Sequence, residues 1–290
     1  MAGKIWKVAA ALTVLLVSVS SAAAATPDVA SMTLQAADVP GAKVTRQGAV
    51  KETGYLAAYS REFAFKAPSG SARLVGLDAE VMVAATPATA TKDVLKAENE
   101  FRSKAGRALF AKTVAKQAGV KTSAVAVGKL RSVAGYDQGF ELPVSVKVRA
   151  GRVYETLVYL RIDRVAVFML EIGLRQIGGT TAKYAGAMAA HIATALTPAS
   201  VSPPSIAGTA QQGQTLTASP GMWSADDALF AYQWQHCDAA GANCTDIAGA
   251  TAQTYGVAAT DAGTTLRVVV KASNRFGTPT ATSTQTAVVT

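Results

Sequence analysis

The sequence predicts two folded domains: an α+β domain, mainly an antiparallel sheet with packed helices, followed by an all-β sandwich. Residues 26–196 combine strand-like alternation with amphipathic helical segments. Residues 197–204 form a proline-rich and serine-rich linker, predicted to be an extended, semi-rigid spacer. Residues 205–290 change to short alternating segments, with turn signals at intervals of about 8–12 residues.

The N-terminus has the three parts of a secretory signal peptide. Two lysines precede an apolar run, Val8–Val19, and small residues then lead to Ala23 and Ala25, which fit the A-x-A cleavage pattern. We therefore predict removal of residues 1–25 and a secreted or cell-envelope-associated protein with no transmembrane span in the mature chain. An uncleaved anchor is the alternative, although the run is shorter than the roughly 20 residues that cross a bilayer.

Positive charge is concentrated in the first domain. Residues 26–198 hold 23 Lys and Arg against 14 Asp and Glu, a net of +9, whereas residues 201–290 hold 3 against 5, a net of −2. A field of this sign attracts polyanions. The cluster chosen as a tentative anion-binding site lies on the exposed side of the first long helix and comprises Lys92, Lys96, Lys104 and Arg107.

Strands and helices alternate along the first domain. Tyr55–Phe65 and Arg73–Ala85 have the pattern of a strand pair. Thr86 and Pro87 are typical of a helix start, and the spacing predicts a helical region as far as Gly119, with Gly106 as a position where it bends or is interrupted.

Val94, Phe101, Ala105 and Leu109 are expected on the buried side of that helix. A meander follows, in which the nearly all-apolar strand Val165–Leu174 is expected to be central and covered on both faces. A last helix is predicted from about Thr181 to Leu196.

The order of elements and a Leu-x-x-x-Asp-x-Pro opening, formed by Leu34, Asp38 and Pro40, resemble the secreted PsbP-like and LpqN-type domains. The resemblance covers about 170 residues and implies an accessory or ligand-holding role, because such domains are mostly not enzymes.

No catalytic motif, metal-ligand set or cofactor fingerprint is recognisable in the sequence. The best carboxylate pair is Asp78 and Glu80, two residues apart on one strand face, where a solvated face is the expected environment. His191 lies on the apolar side of the last helix and is expected to be a hydrogen-bonded core or boundary histidine. We therefore expect no cofactor, no metal and no enzymatic activity.

The two cysteines, Cys237 and Cys244, are predicted to form a disulfide within the second domain. Neither histidine completes a four-ligand metal set with them. Trp234, in Tyr-Gln-Trp-Gln, is expected to be the core tryptophan of the sandwich.

The second domain also resembles the immunoglobulin-like repeats of secreted bacterial, notably actinobacterial, proteins. The residues that carry the likeness are Gly213–Leu216, Pro220–Trp223, Tyr232–Cys237, Cys244, Asp261–Gly263 and Leu266–Val268. The resemblance implies a spacer or adhesion module that displays its neighbour.

These observations favour an exported, non-enzymatic binding or adhesion protein. The basic domain would hold an anionic envelope polymer, polysaccharide or lipid headgroup, and nucleic acid is not an expected partner. Two alternatives stay open: an envelope-associated hydrolase that uses Asp78 and Glu80 or His191, and a carrier of a small hydrophobic ligand.

Overall fold

The computed structural model describes residues 28–66, 74–176 and 179–290; the predicted signal peptide, residues 1–25, lies outside these ranges. The chain divides into two compact units, the first ending at Ala195 and the second beginning at Leu196. The predicted fold class is confirmed: an α+β region with an antiparallel sheet and packed helices precedes small antiparallel β-sheets.

The first unit is built on a twisted antiparallel sheet of eight strands among the described residues. Its strands are β1 (Ala42–Val50), β2 (Tyr55–Phe65), β3 (Leu74–Ala84), β4 (Val125–Val127), β5 (Arg131–Ser132), β6 (Gln138–Val148), β7 (Gly151–Ile162) and β8 (Val165–Gly173). The order across the sheet is β1-β2-β3-β8-β7-β6-β4, and β5 also pairs with β6. The β7–β8 turn occurs at Asp163, whose φ of 56° lies in the left-handed region that Asp tolerates better than most residues.

β8 is central, as predicted, because it pairs with β3 on one side and with β7 on the other. Every residue from Val165 to Gly173 is buried, so both faces of this strand are covered. On one face, Phe168 and Leu170 join a core cluster that includes Val94 and Phe101.

Four α-helices are described in the first unit: α1 (Val29–Met32), α2 (Pro87–Arg102), α3 (Lys104–Ala118) and α4 (Thr180–Leu196). The predicted start of α2 is confirmed, since Thr86 Oγ1 accepts a hydrogen bond from the Thr89 backbone N–H at 3.2 Å. Gly119, with φ 65°, ends α3 in the left-handed conformation.

The helical region is interrupted at Ser103, three residues before Gly106, and is thereby divided into α2 and α3. Ser103 has an extended ψ of 144°, and its Oγ accepts a hydrogen bond from the Gly106 N–H at 2.8 Å. It therefore ends one helix and caps the next. The break rotates the apolar face: Phe110 and Val114 are buried, whereas Leu109, predicted to be buried, is 60% exposed.

The second unit contains three small antiparallel sheets among the described residues. Its strands are β9 (Ser200–Ser202), β10 (Ser205–Ala207), β11 (Thr215–Ser219), β12 (Met222–Trp223), β13 (Leu229–Cys237), β14 (Thr245–Asp246), β15 (Thr254–Gly256), β16 (Thr265–Ser273) and β17 (Thr280–Thr282). The sheets are β10-β11-β15, β9-β12 and β14-β13-β16-β17. Part of the predicted linker therefore forms a strand, because Ser200–Ser202 pairs with β12.

Trp234 is fully buried in the core of the second unit, where it stacks on Tyr255 with ring centroids 5.5 Å apart. The predicted disulfide between Cys237 and Cys244 is present and closes the β13–β14 hairpin. Within the described ranges, no helix is long and apolar enough to cross a membrane.

Candidate functional site

The four basic residues predicted to bind an anion lie on two different helices. Lys92 and Lys96 are exposed on α2, and Lys104 is exposed at the first position of α3. Arg107 differs from the expectation, since it is half-buried and its Nη1 donates to the carbonyls of Phe101 and Arg102 at 2.7 Å each. These carbonyls belong to the last turn of α2, where a cation offsets the negative end of the helix dipole.

Helix α2 is a poor centre for an anion site because its charges cancel. It carries three basic residues, Lys92, Lys96 and Arg102, and three acidic residues, Asp93, Glu98 and Glu100, for a net charge of zero. Arg102 is further engaged by Glu98 in an i,i+4 ion pair. The acidic and basic residues of α2 are closer together than a Debye length, so their opposite fields largely cancel at the helix surface.

Helix α3 has the opposite character. Its four charged residues, Lys104, Arg107, Lys112 and Lys116, are all basic, and the whole stretch from Ser103 to Tyr136 holds seven basic residues and no acidic one. Lys104, Lys112 and Lys116 are exposed, and we call these three residues the α3 lysine face. Lys121 and Lys129, in the segment after the helix, are also exposed.

Leu109 adds an apolar element to this surface. Helical geometry places Leu109 on the same broad side as Lys112 and Lys116, about 20–60° away from each around the axis. An exposed apolar side chain therefore lies beside two of the lysines.

The sequence reasoning missed Lys112 and Lys116 because it used the phase of one uninterrupted helix. The signal that could have found them is the absence of Asp and Glu over residues 103–136, which does not depend on helix phase.

Asp78 and Glu80 do not lie on a solvated strand face, and that expectation is wrong. Together with Met82 they point to the side of the sheet covered by the α2–α3 core, and Glu80 is only 3% exposed. Ser60 Oγ donates to Asp78 Oδ1 at 3.2 Å. Among the described residues, Oε1 of Glu80 is one of a few buried side-chain oxygens without a hydrogen-bond partner.

Burial changes the acidity of both carboxyls. Desolvation, followed by repulsion from Glu62, raises the pKa of Asp78 to about 6. Desolvation, followed by repulsion from Glu52 and Asp78, raises the pKa of Glu80 to about 8. At neutral pH, Glu80 is therefore a neutral carboxylic acid while Asp78 is largely ionised.

Two tyrosines share this acidic region. Burial and the neighbouring Asp93 carboxylate raise the pKa of Tyr55, and burial and the Glu80 carboxyl raise the pKa of Tyr159, both far above the ordinary value. Their phenols therefore stay protonated at any physiological pH. No group of three or more His, Cys, Asp or Glu residues able to hold a metal ion is present in the described parts of the chain.

His191 joins the N-terminal segment to α4 through a single polar contact. Its Nε2 lies 2.9 Å from Oδ2 of Asp38, and the same carboxylate oxygen accepts a hydrogen bond from the Gln35 N–H at 2.6 Å. The His191 side chain is 31% exposed. The structure thus places His191 at a hydrogen-bonded boundary position. It lies away from Asp78 and Glu80, whose side chains are on the other face of the sheet.

The comparisons with known proteins include a distant structural likeness. The crystal structure of the extracellular domain of PknH from Mycobacterium tuberculosis resembles this chain with a TM-score of 0.36 and 9% sequence identity, covering 59% of this chain and 97% of that one. No protein-family model matches the sequence, and no curated protein matches it. A likeness of this size carries no argument about function, so the function must be inferred from the chain's own surface and core.

Proposed function

We propose that this chain is an exported, non-enzymatic binding protein whose first unit attaches to an anionic surface of the cell envelope through the α3 lysine face. The observation that carries the proposal is the stretch from Ser103 to Tyr136, with seven basic residues and no acidic one. The Cys237–Cys244 disulfide supports a location outside the cytoplasm, because disulfides persist in oxidising compartments.

The partner chemistry follows from the side chains available. Exposed lysine ammonium groups are strongly hydrated point charges that bind phosphate and carboxylate groups through long-range attraction. Anionic wall polymers, acidic polysaccharides and acidic lipid headgroups all present such groups in dense arrays. The exposed Leu109 favours an interface with some apolar character among these surfaces.

In this proposal the second unit is an immunoglobulin-like spacer or display module. Its strands pair antiparallel around the buried Trp234, and its hairpin β13–β14 is closed by the disulfide. Such a unit supplies reach and rigidity, while the first unit supplies the binding surface.

The test compares two triple variants of the chain from Thr26 onward. The first replaces the α3 lysine face (K104Q/K112Q/K116Q), and the matched control replaces three other exposed lysines of the first unit (K43Q/K51Q/K147Q), so that both lose the same charge. Binding to acidic liposomes, to neutral liposomes and to purified anionic wall polymer is measured at about 50 and about 200 mM salt.

We expect salt-sensitive binding by the unaltered chain and a loss of roughly two orders of magnitude in the first variant, since each lysine near an anionic surface contributes about 1 kcal/mol. The control should lose much less. Equal losses in the two variants, or binding insensitive to salt, would refute the α3 lysine face as the binding surface. The liposome and polymer measurements then distinguish lipid from wall polymer as the source of the anionic groups.

A hydrolase is the second candidate, and the acidities of Asp78 and Glu80 favour it. A neutral acid and an ionised carboxylate two residues apart can divide the roles of general acid and general base. Hydrolysis of envelope polysaccharide that disappears in both D78N and E80Q, while each variant keeps its fold, would support this candidate over the binding role.

A further inference from the structure

A cavity of about 660 Å³ opens in the first unit, between strands β4–β7 and the start of α4. Pro143, Ser145, Tyr154 and Thr156 line it, and they alternate along their strands with members of the α2–α3 core such as Val144 and Leu157. These lining residues therefore lie on the opposite face of the sheet from that core. The volume is within the range of small-molecule sites in proteins.

The cavity wall carries hydroxyl and amide groups among apolar side chains such as Val127 and Pro143. Serine, threonine and tyrosine side chains contribute five hydroxyls, from Ser132, Ser145, Tyr154, Thr156 and Thr181, and Gln176 contributes an amide. These groups supply hydrogen-bond donors and acceptors for a polar ligand.

Three ionisable side chains line the wall: Arg131, Glu141 and Glu155. Burial raises the pKa of Glu155 to about 7, so its carboxyl is largely neutral below that pH. Arg131 and Glu141 occupy directly paired positions of β5 and β6, and Nη1 of Arg131 lies 3.3 Å from Oε1 of Glu141. The Arg131–Glu141 pair has no net charge, so it offers no excess positive charge to an anionic ligand. Both groups still have open positions for hydrogen bonds, because Arg carries five N–H donors and a carboxylate accepts several bonds.

A buried carboxyl next to the wall lacks one hydrogen-bond partner. Glu171 is fully buried; its Oε2 accepts from the Thr180 hydroxyl at 2.8 Å and from the Thr181 hydroxyl at 3.4 Å, whereas its Oε1 has no partner. Its cross-strand neighbour Thr156 and its donor Thr181 both line the cavity. Buried polar oxygens are normally satisfied, so a donor from a bound molecule or from ordered water is expected at this position.

From this geometry we infer that the cavity binds a neutral, polyhydroxylated ligand, a carbohydrate of about one or two sugar rings. Sugar hydroxyls both donate and accept hydrogen bonds, which matches a wall that offers hydroxyl, amide and carboxyl groups and no excess of positive charge. The ring of Tyr154 offers a flat apolar surface on which the C–H face of a sugar can pack. This site goes beyond the proposed anion binding, because it uses other residues and another ligand chemistry.

The test is saturation-transfer NMR of the chain from Thr26 onward with maltose, cellobiose, trehalose and mannobiose. Glucuronic acid tests an anionic sugar, and the dipeptide Ala-Ala tests a zwitterion. The lining variant is S132A/Q176A, which removes two exposed polar groups of the wall without touching the core. Its matched control, S123A/N99A, makes the same kinds of change at exposed positions outside the cavity.

We expect saturation transfer to at least one neutral disaccharide, weakened about tenfold in affinity by S132A/Q176A and unchanged by S123A/N99A. A second lining variant, S145F, fills the cavity from β6 and should abolish the transfer. Transfer to none of the four disaccharides, transfer confined to glucuronic acid or Ala-Ala, or transfer equal in the lining and control variants would overturn the inference. None of these outcomes depends on anion binding by the α3 lysine face, so the two proposals fail separately.

Discussion

Replacing Glu80 with glutamine should remove one pH-dependent component from the stability of the first unit. Burial raises the pKa of this carboxyl from its ordinary value near 4.5 to about 8 in the folded protein. The folded state therefore holds a proton that the unfolded chain releases above pH 4.5. The stability that this proton contributes is complete below about pH 4.5 and is lost progressively as the pH rises to about 8.

The magnitude follows from the interval between the two pKa values. One pH unit corresponds to about 1.36 kcal/mol, so Glu80 alone should lower the free energy of unfolding by about 3–5 kcal/mol between pH 4.5 and pH 8. Glutamine has nearly the same shape as the protonated side chain and does not ionise. We expect the free energy of unfolding of E80Q and of the unaltered protein to differ little at about pH 5, and E80Q to be more stable by about 3 kcal/mol at about pH 8.5.

The assay can follow each unit separately. The α-helices of the described residues all lie in the first unit. In the chain from Thr26 onward, both tryptophans, Trp223 and Trp234, lie in the second. Urea unfolding followed by the helical circular dichroism signal therefore reports the first unit, and tryptophan fluorescence reports the second.

The matched control is E98Q, which breaks a surface ion pair with Arg102 on α2 and should change stability by at most about 0.5–1 kcal/mol. The reasoning is refuted if the stability difference between E80Q and the unaltered protein is the same at about pH 5 and about pH 8.5. It is also refuted if E98Q produces the same pH-dependent difference.

Three further predictions concern packing and cross-links. Gly106→Ala should destabilise the first unit by about 2 kcal/mol or more, because the new methyl group would overlap the Glu100 carbonyl oxygen. This is expected although alanine is the better helix former. Thermal unfolding followed by circular dichroism measures the change. Arg107→Met should cost about 1–2 kcal/mol in the same assay, since it removes the cation that binds the last carbonyls of α2, and should weaken anion binding less than K112Q/K116Q does. Cys237→Ala with Cys244→Ala should cost about 2.5 kcal/mol in the tryptophan-fluorescence transition and leave the helical transition unchanged.

The sequence predicted part of the architecture of the first unit, because strands such as β3 and β8 carry strong periodic patterns, whereas β1, β4 and β5 were not predicted. The nearly continuous apolar run from Val165 to Gly173 predicts a central strand, and the structure places it between β3 and β7. Thr86 begins the helical region and Gly119 ends it, as predicted from the capping hydroxyl of threonine and the left-handed backbone that glycine allows. These signals are local, so they can be read from the sequence without knowledge of the tertiary packing.

Two features of the candidate sites depend on packing, and sequence patterns could not supply them. Alternation along β3 shows that Asp78 and Glu80 share a face, but an alternating polar residue is as compatible with solvent as with a covering helix. Only the placement of α2 and α3 decides that Glu80 is buried. Likewise, Gly106 could be taken for a simple bend, whereas the close Glu100 carbonyl is the reason that no larger residue fits.

The position of the proposed anion site illustrates how charge should be weighed along a sequence. A count of Lys and Arg alone separates the two helices only slightly, since α2 has three and α3 has four. The field at a surface depends on the net charge within about a Debye length, roughly 8–10 Å, so a lysine one turn away from a glutamate contributes little. By that criterion α2, with its three acidic residues, is nearly neutral, and α3 retains all of its charge. The absence of acidic residues between Ser103 and Tyr136 is therefore the more informative property, and it places the expected loss of binding at Lys112 and Lys116 rather than at Lys92 and Lys96.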